Sequence, residues 1–186
     1  MKKILIFTPS FFPKLVGVER HVLETTNQLI KKGYSVKVLT EKTTELKKFE
    51  KKSLLRIYRF SYPKIKYVGL FSIWWRLLTQ YYSLIKEADV IHIHDIFVWY
   101  LPFRLMFWRK PVVTTFHGWE GVFPLPPQNK FWRKLGVLLS SKTVAVGHYL
   151  EKHYHFKADH VIYGGVHLPK TNYQKKDLLL YVGRLD

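Results

Sequence analysis

Three histidines and an aspartate sit at the ends of two apolar runs in this chain. The heptapeptide DVIHIHD (89–95) carries His92 and His94 two residues apart, with Asp95 following. On a strand that spacing puts both imidazoles on one side. Two imidazoles and a carboxylate could bind zinc. The other reading has His92 hydrogen-bonded in the core, with His94 and Asp95 lining a crevice. Farther on, VVTTFHGWEGVFPLPP (112–127) runs from β-formers into His117 and Gly118, then into Gly-, Pro- and aromatic-rich loop composition. A histidine where a buried strand opens into a loop suits catalysis or sugar binding; a structural histidine is the competing reading. Upstream, FFPKLVGVERHV (11–22) places Gly17 beside a helix start. Free N–H groups and a partial positive charge make a helix N-terminus an anion site. One glycine, without G-x-G-x-x-G or a P-loop lysine, reads equally well as a simple turn.

These residues need a sheet to bring them together, and the hydrophobic pattern supplies one. Apolar runs at 4–8, 35–40, 54–60, 89–94, 111–117, 142–146 and 159–163 read as strands. Helical spacing marks 18–32, which Gly33 stops, and 69–86, 96–108, 128–140 and 148–156. Strands alternating with helices predict a parallel α/β sheet with right-handed crossovers. In a doubly wound sheet, ligands bind at the carboxyl ends of strands where the strand order reverses. The strands ending at Thr8 and His94 would flank that crevice, with the one ending at His117 next. Three loops then converge: 10–19, 94–99 and 117–127.

The chain has 186 residues, enough for one full core. It has no cysteine, which excludes disulfides and thiol chemistry. The apolar stretch after Met1-Lys2-Lys3 is only four residues, too short for a signal-peptide core. An intracellular protein is expected. Residues 164–177 read as a linker, and 178–186 as the opening strand of a second domain. The first domain would then span 1–163.

Lys and Arg number 31 against 13 Asp and Glu, a net charge of +18 that predicts attraction to polyanions. No helix-turn-helix, zinc finger or aromatic RNP strand accompanies it, which disfavours nucleic acid. Segment 69–86, GLFSIWWRLLTQYYSLIK, carries one polar stripe: Ser72, Arg76, Thr79, Gln80, Ser83 and Lys86. The rest, including Trp74 and Trp75, is apolar over more than half the wheel, wider than a surface helix needs. Arg76 and Lys86 break it too often for a transmembrane span. Before it, residues 42–66, with Lys64 and Lys66, hold nine Lys or Arg against Glu45 and Glu50. Basic and aromatic composition together suit an anionic membrane interface. A buried helix beside a solvated basic face is the alternative.

In order and spacing, six segments resemble the N-terminal half of glycosyltransferase family 4, of GT-B fold. The family's F-x-P-x-x-G-G-x-E appears as FFPKLVGVERHV, with Val16 for the first glycine. DVIHIHD and PVVTTFHG match two strand ends. AVGHYL (145–150) has Gly147 for the usual Ser. YGGVHL (163–168) has Tyr163, Gly164 and His167 for the Pro, Asn and Asp of P-N-G-V-D. YVGRLD (181–186) resembles the start of the second domain. The resemblance implies a Rossmann-like acceptor-binding domain of a retaining transferase. Such an enzyme moves sugar from a nucleotide-sugar donor to a lipid or glycan acceptor. It implies His117 as the catalytic residue beside the transferring sugar. Gly17, Gly118 and Arg184 would bind the donor; Glu19, Arg20, His94, Asp95 and Trp119 would contact the acceptor or line the crevice. No metal and no cofactor beyond the nucleotide-sugar is implied. A C-terminal donor domain, in cis or in trans, is needed for turnover. The expected place is the cytoplasmic face of a membrane, touched by Trp74, Trp75, Arg76, Lys64 and Lys66. A non-catalytic basic membrane module, or a nucleic-acid binder, are the alternatives.

Overall fold

The computed structural model of the chain describes residues 1–13, 17–43, 45–118 and 126–165. The linker beyond Gly165, the strand at 178–182, Val16, Trp119, His167 and Arg184 lie outside the described residues. The strands are β1 (Lys3–Phe7), β2 (Ser35–Glu41), β3 (Phe49–Lys52), β4 (Leu55–Phe60), β5 (Val90–His94), β6 (Val112–Phe116), β7 (Lys142–Ala145) and β8 (His160–Val161). The helices are α1 (Gly17–Lys31), α2 (Lys66–Thr79), α3 (Tyr82–Glu87), α4 (Phe97–Met106), α5 (Pro127–Leu139) and α6 (His148–Tyr154). The sheet order is β3-β4-β2-β1-β5-β6-β7-β8. All pairs are parallel except the β3–β4 hairpin. The chain leaves β1 in one direction and returns to β5 in the other, so the order reverses between them. This is the Rossmann-like α/β arrangement that the alternating pattern predicts.

Alternation along the strands divides the core. Leu5, Phe7, Ile91 and Ile93 face α2, α3 and α4. Ile4, Ile6, Val36 and Val38 face the opposite way, toward Val22 of α1. His92 and His94 have the other parity from Ile91 and Ile93, so they fall on the α1 side. Register carries the pattern across: His92 pairs with Val113 and His94 with Thr115. One face of the sheet thus collects imidazoles and the other collects apolar helices.

Two elements differ from expectation. The helix predicted over 69–86 is two helices, α2 and α3, broken at Gln80 and Tyr81. The break lets Tyr81 pack its ring 5.7 Å from Phe60 and 6.2 Å from Tyr58, which a straight helix would carry away. The lysine-rich tract before residue 53 holds β3, an edge strand. Lys51 and Lys52 are exposed there, and lysines on an edge discourage pairing with other chains. Arg59 of β4 is fully buried. It bridges this hairpin to the loop after β1, donating to Glu50 at 2.7 Å and to the Phe12 carbonyl at 2.8 Å. Among the described residues no helix is long and apolar enough to cross a membrane.

Candidate active site

Four imidazoles line up on the α1 side of the sheet, at the strand carboxyl ends. His92 Nε2 lies 2.9 Å from Thr115 Oγ1. The His92 and His94 rings are 4.2 Å apart between centroids. His94 Nδ1 lies 2.7 Å from His117 Nε2. His21 of α1 closes the row, its ring edge-on to His117 at 4.7 Å and 6.2 Å from His94. Burial disfavours the charged form of each. It pushes His92 and His117 down to about 4, His94 well below the usual histidine range, and lowers His21. The set is neutral near pH 7, so one ring donates and the other accepts in the His94–His117 bond.

The backbone of His117 is held on both sides. Its N–H donates to Asp95 Oδ1 at 3.0 Å, and its carbonyl accepts from Tyr149 Oη at 3.0 Å. The Gly118 carbonyl accepts from Arg133 Nη2 and Tyr154 Oη, each at 3.0 Å. Arg133 Nη1 also donates to Asp95 Oδ1 at 2.8 Å, and its guanidinium lies 4.3 Å over the Tyr154 ring. Asp95 takes a left-handed φ of 62° to serve both partners. Charge-assisted bonds of this kind are the stronger ones. Residues from β5, α5 and α6 thereby fix one histidine at the end of β6.

Beside the imidazoles lies an open cavity of about 950 Å³, bordered by Gly17, Arg20, His21, Tyr163, Gly164 and Gly165. A Cβ on Gly17 would meet nothing within 4 Å. The first turn of α1 therefore faces space. His21, one helical turn beyond Gly17, stands between this cavity and His117.

His94 is completely buried, with its Nδ1 against His117 Nε2. Asp95 spends Oδ1 on the His117 brace. Glu19 is buried and accepts a hydrogen bond from Ser10, tying the β1 loop to α1. Arg20 does border the cavity. Gly118 contributes its carbonyl to the brace. Of the groups weighed for zinc, His92 turns to Thr115, His94 to His117 and Asp95 to Arg133. Among the described residues no three such groups converge on a point that could hold a metal ion.

The residues assigned to a membrane face also divide. Trp75 is 67% exposed, but Trp74 is half-buried and donates Nε1–H to the Val98 carbonyl at 2.9 Å. Trp74 therefore fastens α2 to α4. Arg76 is half-buried. Lys64 pairs with Glu41, and Lys66 donates to Gln128 Oε1 at 2.9 Å.

Sequence reasoning missed His21, Arg133, Tyr149 and Tyr154. Only His21 left a signal, its four-residue spacing from Gly17. The others reach the site through contacts 15 to 38 residues away.

The model of Glycosyltransferase Family 4 matches residues 16–169, which include every one of these side chains. The chain belongs to glycosyltransferase family 4. Solved structures agree at the level of fold. Sucrose-phosphate synthase from Thermosynechococcus elongatus is 12% identical with a TM-score of 0.66, over 87% of this chain and 47% of that one. A glycosyltransferase from Rickettsia africae is 19% identical with a TM-score of 0.55, over 87% of this chain and 42% of that one. This family 4 chain thus spans less than half the length of either. Its sheet is the Rossmann-like domain of the GT-B glycosyltransferases. No curated protein gives a significant match.

Proposed function

We propose that this chain forms the acceptor side of a retaining glycosyltransferase that moves sugar from a nucleotide-sugar to a lipid-linked acceptor at a membrane surface. The observation that carries the reading is His117, kept neutral by burial at the end of β6 and held in place by its ring bond to His94 and its backbone bonds to Asp95 and Tyr149. The His94 bond engages Nε2, so Nδ1 is the ring atom that meets a sugar hydroxyl. A neutral ring makes that bond without placing a cation beside the sugar, where positive charge develops as the leaving group departs. The start of α1, with Gly17 and Arg20 on the cavity, faces the departing diphosphate, and preorganised donors there stabilise its charge. A donor-binding domain in cis or in trans would close the second wall, with Arg184 as a diphosphate ligand and Trp119 near the acceptor.

The test uses the protein as isolated from its cell, with any partner it carries. Radiolabelled UDP- and GDP-sugars serve as donor probes and native membranes as acceptor. Label is expected in the lipid extract. His117→Ala is expected to lower its incorporation by about 10²-fold or more, the scale of losing one oriented catalytic group. Undiminished incorporation in that variant overturns the assignment. Product anomers matching the donor support retention, and inverted anomers refute it.

A further inference from the structure

On the far side of the sheet from the imidazoles is a second, smaller cavity, of about 290 Å³. It lies at the same carboxyl end, walled by the loop after β4, the first turns of α2 and the starts of α4 and α5. Tyr62, Trp99 and Trp132 supply its rings, and Lys64 and Lys66 its charge; among the described residues no carboxylate lines it. Its inner wall is well packed: Trp99 is 5% exposed, with its ring 5.6 Å from Tyr62 and 5.4 Å from Phe60. Its rim is not. Ile65 is 67% exposed and Tyr67 63%.

From that rim an apolar stripe runs down α2. Val68, Phe71, Trp75 and Leu78 are all exposed, at intervals of three and four residues. The same helix buries Gly69, Ile73 and Leu77 on its other face. α2 thus has two apolar faces, and among the described residues only one of them is packed. A contiguous exposed apolar stripe marks an interaction surface. The charge on the helices around it has one sign. α2, α4 and α5 contain no Asp or Glu, and present Lys66, Arg76, Arg104, Lys130 and Lys134. Lys64 at the cavity mouth is paired with Glu41.

We infer that this cavity binds the phosphate-bearing head of an anionic lipid, whose chain lies along the α2 stripe. Lys64 and Lys66 take the phosphate. Tyr62, Trp99 and Trp132 contact the carbons next to it. Val68, Phe71, Trp75 and Leu78 enter the acyl layer. The occupant is a lipid rather than a free phosphate because the cation pair and the apolar stripe are continuous. The inference rests on the membrane-surface reading above and gives it a recognition site.

The test is sedimentation with phosphatidylcholine vesicles, with and without phosphatidylglycerol. Two charge-matched double variants are compared: Lys64→Gln with Lys66→Gln in the cavity, and Lys130→Gln with Lys134→Gln on α5. A basic residue near an anionic surface is worth about fivefold in binding, so general attraction predicts equal losses. The cavity pair is expected to lose clearly more than the α5 pair, and only on phosphatidylglycerol vesicles. Equal losses overturn the head site while leaving membrane binding intact. Phe71→Ser with Trp75→Ser is expected to remove the salt-resistant part of binding; no change there, or no binding by the unaltered chain, overturns both readings. Excess inorganic phosphate is expected to displace the chain only partly. Complete displacement would assign the cavity to free phosphate and overturn the lipid.

Discussion

His92, His94 and His117 are buried in a place that favours only the neutral ring. Burial holds His92 and His117 at about 4 and His94 well below the usual histidine range. An unfolded histidine titrates near 6.5. Between those values the unfolded chain holds more protons than the folded one, so stability rises with pH across that window. The contribution is complete above about pH 6.5. It is lost as the pH falls toward 4. Thermal unfolding midpoints are expected to fall steadily as the pH drops from about 7 to about 4, and less steeply in His92→Gln. A flat profile would mean that the imidazoles are solvated. The same neutrality predicts that kcat shows no inflection near 6.5 from His117. Residue-scale fit also accounts for Gly147, where the family motif carries Ser. A Cβ at Gly147 would come within 2.8 Å of the Tyr149 ring, and Tyr149 is the donor to the His117 carbonyl. The departure from the motif makes room for the brace.

Among the elements, α2 depends on one close approach. A Cβ on Gly69 would fall inside contact distance of the Pro63 carbonyl oxygen, a backbone atom that cannot swing away. Gly69→Ala must therefore push α2 off the loop that forms the second cavity. Overpacking of this kind costs about 1–3 kcal/mol. A lower urea midpoint with an unchanged m-value is the expected result, together with weaker vesicle binding. An unaltered midpoint would show the loop free to move. The same element shows what a sequence reveals. β1, β5 and β6 were legible because parallel strands covered on both faces read as apolar runs. His94 and His117 were legible as strand ends for the same reason. β3 was hidden because an edge strand needs no apolar run, and Phe49–Lys52 offers only one apolar residue. The break between α2 and α3 was hidden because Tyr81 obeys helical spacing and leaves the helix for a tertiary partner, Phe60. Trp74 and Trp75 are adjacent and chemically identical, yet one fastens α2 and the other faces solvent. Only the packing of α4 distinguishes them.

At the scale of the molecule, one sheet presents two different surfaces at its carboxyl end. The α1 side offers neutral imidazoles and an open cavity; the α2–α5 side offers rings, lysines and an apolar stripe. A transferase acting on a lipid needs both, one for the sugar and one for the acceptor's anchor. It also needs a second wall around the donor. The cavity beside Gly17, Arg20 and His21 is about 950 Å³ and open, whereas a site that shields a departing diphosphate from water must close over it. The matched structures are more than twice as long as the portion this chain covers. If the proposed function holds, a second Rossmann-like domain supplies the donor wall. With that domain in cis, the native mass in the source cell should be roughly twice that of this chain, two domains of ordinary size. A native product of this chain's own mass, purified with a second Rossmann-like subunit, would put the donor wall in trans. A product of this mass that purifies alone would remove the donor site and defeat the transferase reading. The membrane face would then be the function that remains.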